Sequence, residues 1–407
     1  MCDDLFAEIV SVSDDFEHIY LDSDYNSTQM LDASVNERYH QKMRGIFHHY
    51  IHLSCKQWNN LKPSLNYFLK IRNVILTIVN RRKWVKEFLR QIEIIKPDAV
   101  ICIDDFPINF QLLTYYFTEI PIFILQPATS PRSKKNIYNR PKALKEKSII
   151  DYYVNKIFFP YSNETENVKS NVVHLIWGEF WLNSELQMKY PNTKAVGSIP
   201  FDIVLKNRIT IQEKKEIKLS AGITENRNLI LITLNKKRNI GENRFLEFIE
   251  IYKKVILKNP VFFFILKVHP VEDEAYINSL FTPLNVSNYI VIKNKIPIKQ
   301  LIYIANIFIT HWSSTLYEAM ARLIPVILVN PNNQYDYSVL CLENYAIFAS
   351  DSKSLSEYIQ RSVNPSYKDE FINFRNQFID KQIFRTDGKS AERVVEVIKE
   401  VLSNKVR

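Results

Sequence analysis

A regular alternation of short apolar runs and amphipathic stretches between residues 228 and 350 constrains the fold more than any other feature. Six apolar runs have the length and β-branched content of buried strands. They are Leu229–Leu234, Val261–Val268, Tyr289–Ile292, Ile307–Thr310, Pro325–Val329 and Ala346–Phe348. Amphipathic helices are predicted between most of these runs. The alternation is typical of an α/β fold, a doubly wound domain on a parallel sheet.

A second, weaker α/β pattern occupies the first half of the chain. Asp98–Ile103 and Ile120–Leu125 are predicted strands on either side of a short helix over Gln111–Phe117. Val172–Trp177 is predicted as a third strand, and His18–Asp22 as an earlier one. Helix–strand alternation of this kind again indicates a parallel sheet.

The length of the chain also indicates more than one domain. The chain has 407 residues, whereas single hydrophobic cores stop growing at roughly 250–300 residues. Residues 203–227 are polar and rich in lysine, so we predict a linker there. The predicted organisation is a Rossmann-like domain over 1–202, this linker, a second Rossmann-like domain over 228–385 and a C-terminal helix over 386–407.

Composition excludes several classes of protein. Hydrophobic residues make up 46% of the chain, which excludes disorder as its main state. No apolar run approaches the ~20 residues of a membrane-spanning helix, and the acidic start lacks the features of a secretory signal. Four scattered cysteines form no CxxC pair, so neither a zinc site nor a disulfide framework is expected. We therefore expect a cytoplasmic protein.

The net charge of +9 favours an anionic partner. A nucleotide, a nucleic acid and an anionic membrane all fit that charge. No recognisable nucleic-acid-binding motif is present, so we predict no nucleic-acid partner. The basic stretches Lys70–Arg90 and 132–147 predict peripheral contact with the anionic inner face of the cell membrane.

Candidate ligand-binding residues follow the predicted strands of the second half, because ligands bind at the carboxyl ends of parallel strands. After Leu234 come Lys236, Lys237 and Arg238, which either neutralise a diphosphate or form a solvated loop. After Val268 come His269 and Pro270. Proline ends the strand, and the histidine can donate to a phosphate or act as an acid.

The segment after Thr310 combines hydroxyl groups with a helix start. Ser313 or Ser314 is predicted to cap a helix that includes Thr315. Helix N–H groups together with these hydroxyls suit a phosphate, although capping alone also explains the residues. Glu318 lies one turn inside the helix, where it contacts either a ribose hydroxyl or a surface cation.

The first half contributes an acidic pair and a basic stretch. Asp104 and Asp105 end a buried strand, so one of them is a candidate general base, or either caps the next helix. The stretch 132–147 contains Arg132, Lys134, Lys135 and Arg140. These cations bind an anionic acceptor or lipid headgroups, or form a solvated face.

Residues 195–350 resemble the nucleotide-sugar-binding domain of GT-B glycosyltransferases. The matching segments are GSIPFD at 197–202, KVHP at 267–270 and SSTLYEAMARLIPVILVNP at 313–331. The HP and SS pairs are similar to those of bacterial sialyltransferases and polysialyltransferases, capsule Kdo transferases and CDP-glycerol polymerases. The resemblance implies that His269, Ser313 and Ser314 hold the donor phosphate. It also implies that the base comes from an acidic strand end, here Asp104 or Asp105.

The resemblance further implies two Rossmann-like domains that face a central cleft. The expected activity is metal-independent, inverting transfer of a sugar from a CMP-, CDP- or UDP-linked donor to a surface glycan or lipid-linked acceptor. No cofactor is expected beyond this nucleotide-sugar substrate. Alternatives are an enzyme like UDP-N-acetylglucosamine 2-epimerase and a CDP-polyol phosphotransferase. A non-enzymatic protein that binds nucleic acid or an anionic surface is a third.

Overall fold

The computed structural model describes residues 2–22, 41, 44–52, 82–103, 108–126, 171–182, 191–224, 227–311, 313–333 and 347–405. The described residues form two compact units. The first contains those up to Ile199 together with the C-terminal residues from Lys389, and the second contains Pro200–Gly388. The predicted domain boundary at 202 lies three residues from this division.

Strands of the two units form separate parallel sheets. Those of the first unit are β1 (Ile19–Asp22), β2 (His49–His52), β3 (Val100–Cys102), β4 (Ile122–Leu125), β5 (Val172–Ile176) and β6 (Asn192–Ala195). Those of the second are β7 (Asn228–Thr233), β8 (Phe262–Lys267), β9 (Tyr289–Ile292), β10 (Ile307–Thr310), β11 (Val326–Val329) and β12 (Ile347–Ala349).

Helices connect most of these strands. In chain order they are α1 (Cys2–Val10), α2 (82–95), α3 (Ile108–Tyr116), α4 (Ile199–Lys206), α5 (Ile211–Ala221), α6 (Lys237–Ile240), α7 (Glu242–Lys258), α8 (Glu274–Phe281), α9 (Ile298–Ile304), α10 (Thr315–Ala321), α11 (Ser352–Ser362), α12 (Pro365–Gln382) and α13 (Ser390–Lys405). Among the described residues, no helix has both the length and the apolar character needed to cross a bilayer.

The first unit contains a four-stranded sheet of order β3-β4-β5-β6 and the separate pair β1-β2. Apolar side chains of α2 and α3 cover the larger sheet. Trp84 and Phe88 stack at 5.4 Å between ring centroids and pack against Phe110 and Leu113 of α3. The predicted strands around β3, β4 and β5 are confirmed, whereas β2 is not predicted by the sequence pattern.

The last helix, α13, packs in the first unit. Arg393 Nε donates to the Val196 carbonyl at 2.8 Å, and Lys399 forms an ion pair with Asp15. The first unit is therefore assembled from two segments that are distant in the chain.

The second unit contains a six-stranded sheet of order β12-β11-β10-β7-β8-β9. All five strand pairs are parallel. Every one of the six strands predicted between 228 and 350 is present, with ends within one residue of the prediction. This order is the doubly wound arrangement, so the α/β prediction is confirmed.

The predicted linker over 203–227 is instead largely helical. It contains the end of α4 and the whole of α5, which packs against α9. A capping box begins α5, since the Thr210 hydroxyl accepts the Glu213 N–H while the Glu213 carboxylate accepts the Thr210 N–H. Gly222 ends α5 in the left-handed conformation, at φ 77°. The linker prediction was wrong because it relied on the polar composition of the segment and not on these two helix signals.

Candidate functional site

The winding direction of the second sheet changes between its central strands, β7 and β10. From β7 the chain proceeds through β8 to β9 on one side, and from β10 through β11 to β12 on the other. Doubly wound sheets bind ligands outside the strand ends at this point. Thr233 and Thr310, the last residues of β7 and β10, are cross-strand partners. The segments that follow them therefore begin side by side.

His269 lies in a turn just beyond the end of β8. Its Nδ1 accepts the Val271 N–H at 3.2 Å, and its carbonyl accepts the Glu272 N–H at 2.9 Å. Because Nδ1 is an acceptor, this hydrogen bond assigns the proton of the neutral ring to Nε2. The Nε2–H group is then a donor suited to a phosphate oxygen. Pro270 is exposed beside it.

Ser313 and Ser314 have different roles at the start of α10. Ser313 Oγ donates to Thr315 Oγ1 at 2.8 Å and accepts the Thr315 N–H at 3.3 Å. Ser314 is the N-cap residue by position, but its side chain makes no capping hydrogen bond. The capping function predicted for one of the two serines therefore belongs to Ser313. Helix capping does not use the Ser314 hydroxyl, which can serve a ligand.

α10 is buried along its whole length. Thr315 is 6% exposed and Glu318 is 2% exposed. The Tyr317 hydroxyl donates to Gln382 Oε1 at 2.7 Å and links α10 to α12. Glu318 is predicted to contact a ribose hydroxyl or a surface cation. Its burial contradicts the surface cation, and contact with a ribose hydroxyl stays a prediction. Apolar residues on every side of α10 are the physical reason for this burial, since the helix packs around its full circumference.

His311 links the end of β10 to the end of β11 and lies two residues before Ser313. Its Nδ1–H donates to the Val329 carbonyl at 3.1 Å, and its ring centroid lies 4.7 Å from that of Phe248. Burial lowers the pKa of His311 to about 4, so the ring is neutral at pH 7. No function is predicted for this residue from the sequence pattern.

The basic segment after β7 is partly neutralised within the protein. Lys237 Nζ lies 2.9 Å from Glu242 Oε2, and the Tyr276 hydroxyl donates to Glu242 Oε1 at 3.0 Å. The Glu242 carboxylate, by hydrogen bonding to Lys237, raises the pKa of that lysine. Lys236 is half-buried, and the Arg238 side chain lies outside the described residues. The ammonium of Lys237, predicted to neutralise a diphosphate, thus already has an acidic partner.

Glu272 joins this basic segment to the histidine turn. Its Oε1 accepts the Lys237 N–H at 2.8 Å, and its own N–H donates to the His269 carbonyl. One residue therefore holds together the loops that follow β7 and β8. Glu272 was not predicted from the sequence, because a loop glutamate has no spacing signal that reveals a partner 35 positions away.

Lys267, the last residue of β8, holds the loop after β9. Its Nζ donates to the carbonyls of Lys293 and Ile296, the second at 2.7 Å. Glu274 Oε1 accepts the Lys293 N–H at 2.8 Å. Burial lowers the pKa of Lys267 to about 8. Loops after β7, β8 and β9 are thus each fixed by a side-chain contact at one edge of the sheet.

Several predicted site residues lie outside the described part of the chain. They are Asp104, Asp105, Arg132, Lys134, Lys135 and Arg140. No group of three or more possible metal ligands occurs among the residues that the structure describes. Metal independence and the identity of the base remain predictions.

Comparison with known proteins identifies the family. The family described as CDP-glycerol:poly(glycerophosphate) glycerophosphotransferase matches residues 188–400, just over half of the chain. This range includes His269, Ser313 and Ser314. No curated protein matches the chain.

Solved structures share the fold of this chain. UDP-GlcNAc 2-epimerase from Neisseria meningitidis, bound to UDP-GlcNAc, has a TM-score of 0.58 at 13% identity, covering 98% of this chain and 96% of that one. A glycosyltransferase from Rickettsia africae has a TM-score of 0.54 at 13% identity, covering 98% and 94%. A variant of the wall teichoic acid polymerase TagF has a TM-score of 0.50 at 12% identity, covering 76% and 74%.

These similarities show a GT-B fold, as expected from the sequence. Together with the family match, they show that the protein is an enzyme, a nucleotide-dependent transferase. The chain belongs to the CDP-glycerol:poly(glycerophosphate) glycerophosphotransferase family.

Proposed function

We propose that this enzyme transfers a polyol phosphate, such as glycerol phosphate, from a CDP-linked donor to a hydroxyl group of a cell-surface polymer. The observation that carries the proposal is the family match, because the matched residues 188–400 include all six strands of the second sheet and the loops at its carboxyl edge. That edge combines the Nε2–H group of His269 with the Ser314 hydroxyl. The sequence resemblance favoured sugar transfer, with CDP-polyol transfer as an alternative. The family description favours that alternative.

The proposed reaction is a phosphoryl-type transfer. The acceptor hydroxyl attacks the phosphorus of the polyol phosphate, a new P–O bond forms, and the diphosphate bridge breaks to release CMP. The hydroxyl proton passes to a base, for which Asp104 and Asp105 remain the candidates. Negative charge grows on the phosphate oxygen of departing CMP, and a fixed donor aimed at that charge lowers the barrier.

His269 suits this stabilising function. Its Nδ1 accepts the Val271 N–H, which fixes the orientation of the ring and places the proton on Nε2. Ser314 adds a hydroxyl that helix capping does not use. Glu272 keeps the histidine turn and the basic segment together, which limits the reorganisation needed when a donor binds.

The product distinguishes this reaction from its alternatives. Purified enzyme is incubated in EDTA with CDP-glycerol, CMP-sialic acid or UDP-GlcNAc, with or without a primer that ends in glycerol phosphate. We expect CMP release and primer extension only with the CDP-polyol, and loss of both in His269→Ala. UDP release from UDP-GlcNAc would instead establish sugar transfer. An epimerised UDP-sugar without primer would establish epimerase activity, and either result contradicts the proposal.

A further inference from the structure

The first turn of α7 directs a cation toward the carboxyl edge of the second sheet. α7 follows β7 along the chain and therefore starts at that edge. Arg244 and Phe248 are four residues apart and share one face of the helix. Phe248 is buried, and its ring centroid lies 4.7 Å from that of His311. Arg244 therefore lies one helical turn, about 5.4 Å, nearer to the edge than the residue that contacts His311.

The charge of Arg244 acts on the same histidine. Burial is the main cause of the low pKa of His311, and the positive charge of Arg244 lowers this pKa further. The interaction between two charges weakens with distance, so the guanidinium lies close to the imidazole. Ser313 and Ser314 follow His311 by two and three residues. The guanidinium is thus close to the segment that carries the Ser314 hydroxyl.

Carboxylates on the same helix have contacts elsewhere. Glu247, three residues after Arg244, accepts Asn332 Nδ2 at 2.9 Å. Glu242 forms the ion pair with Lys237. The acidic partner of Lys237 reduces what this lysine can offer to a diphosphate, which is strongly anionic and needs further positive charge. Arg244 supplies a cation at the same edge of the sheet.

The chemistry of a guanidinium suits a diphosphate better than that of an ammonium. Its planar fork of N–H groups binds two phosphate oxygens at once, and it stays charged at every pH at which the protein is folded. Arg244 is half-buried, and salt screens a partly buried charge less than an exposed one. A half-buried arginine at this edge is therefore suited to hold a phosphate group in one orientation.

We propose that the Arg244 guanidinium binds the diphosphate of the donor, together with the Nε2–H group of His269 and the Ser314 hydroxyl. β7 lies between β8 and β10 in the sheet, so the segment that leads into α7 starts between the strands that carry these two residues. The inference rests on the proposed function, since a CDP-linked donor contains a diphosphate. Arg244 was not predicted from the sequence, because it lies on a helix and not directly after a strand.

Calorimetric titration of the full chain measures this contact without turnover. The ligands are CDP-glycerol, UDP-GlcNAc and cytidine. Arg244→Met should weaken binding of CDP-glycerol by about 10- to 100-fold, the effect of removing a charged hydrogen-bond donor, and leave cytidine binding unchanged. Arg244→Lys keeps the charge but not the planar fork and should recover part of the loss. The matched control, Lys254→Met, removes an exposed positive charge about 15 Å further along the same helix and should bind like the unaltered chain.

Three results overturn the inference. They are unchanged donor affinity in Arg244→Met, an equal loss of cytidine affinity in that variant, and an equal loss of donor affinity in Lys254→Met. If Arg244→Met does not fold, Arg244→Lys decides alone, with an expected loss of about three- to tenfold.

The two nucleotides separate this inference from the proposed function. If the unaltered chain binds UDP-GlcNAc and not CDP-glycerol, the proposed function is wrong, and the affinity of Arg244→Met for UDP-GlcNAc decides whether Arg244 binds the diphosphate. If CDP-glycerol binds equally well to the unaltered chain and to Arg244→Met, the inference is wrong and the proposed function is unaffected. Failure of both nucleotides to bind the unaltered chain overturns both.

Discussion

The backbone N–H of Val271 donates to His269 Nδ1 across 3.2 Å. Nδ1 is the acceptor of that bond, so the imidazole is held as the tautomer with its proton on Nε2. Protonation of Nδ1 would break the hydrogen bond. The turn therefore holds the ring so that it donates from one defined atom, Nε2, a geometry suited to a phosphate oxygen.

His269→Ala should lower kcat/KM for the donor by about 10²–10³, the usual effect of removing one donor to a developing anion. His269→Gln, whose side-chain amide retains an N–H, should recover part of this loss. Initial rates of CMP release measure both variants. His49→Ala, at a histidine with a side chain 60% exposed in the first unit, is the control and should leave the rate unaltered. Full activity in His269→Ala would exclude the assigned function.

The two serines at α10 should separate stability from donor binding. Ser313→Ala removes two contacts with Thr315 and should lower the free energy of unfolding by about 1 kcal/mol. Ser314→Ala removes no capping bond, so it should leave the Tm unchanged and raise the donor KM. Thermal unfolding and donor titration compare the pair directly. The reverse pattern would show that Ser314 caps the helix and Ser313 serves the ligand.

Glu272 should act as a positioning residue. Glu272→Ala removes the acceptor of the Lys237 N–H and should raise the donor KM by roughly tenfold with kcat nearly unchanged. Glu272→Gln retains a carbonyl acceptor and should restore most of the affinity. Steady-state kinetics at saturating acceptor gives both constants. A fall in kcat alone would instead indicate direct participation in the reaction.

His311 should make the free energy of unfolding depend on pH. Its pKa lies near 4 in the folded protein instead of 6.5, mainly because of burial, with a smaller contribution from the positive charge of Arg244. Between these values the unfolded chain binds a proton that the folded protein does not. The free energy of unfolding should therefore fall as pH drops from about 6.5 to 4, by up to about 3 kcal/mol.

Urea unfolding at several pH values measures this effect. His311→Asn keeps an N–H donor for the Val329 carbonyl but does not titrate, so its stability should vary less over the same range. His49→Ala retains the buried histidine and should follow the unaltered chain. Parallel curves for His311→Asn and the unaltered chain would show that another group controls acid stability.

Buried strands were the most predictable part of this fold. Runs such as Ile307–Thr310 are apolar on both faces because helices cover both sides of the sheet, so length and composition suffice to identify them. β2 was missed because its histidines and tyrosine lack a buried strand's apolar run. α5 was missed because only Ile217 and Ala221 on it are buried, although the Thr210–Glu213 capping box was visible in the sequence.

The residues of the candidate site could be predicted from the sequence, but the contacts that hold them in place could not. His269 and the two serines were found because each follows a predicted strand, and the topology places strand ends at one edge. The contact between Glu272 and the Lys237 N–H, like that between Lys267 and the Ile296 carbonyl, joins residues far apart in sequence. No local pattern encodes such pairs, because they depend on which strands become neighbours.

The inclusion of α13 in the first unit has a consequence for the order of folding during synthesis. Residues 200–388 form a continuous segment that carries the whole second sheet, so this unit can fold as soon as that segment leaves the ribosome. The first unit is translated earlier but acquires Arg393 and Lys399 only with the final helix. The unit that begins the chain is therefore completed last, and damage to the C-terminal helix should destabilise the N-terminal sheet before the sheet of the second unit.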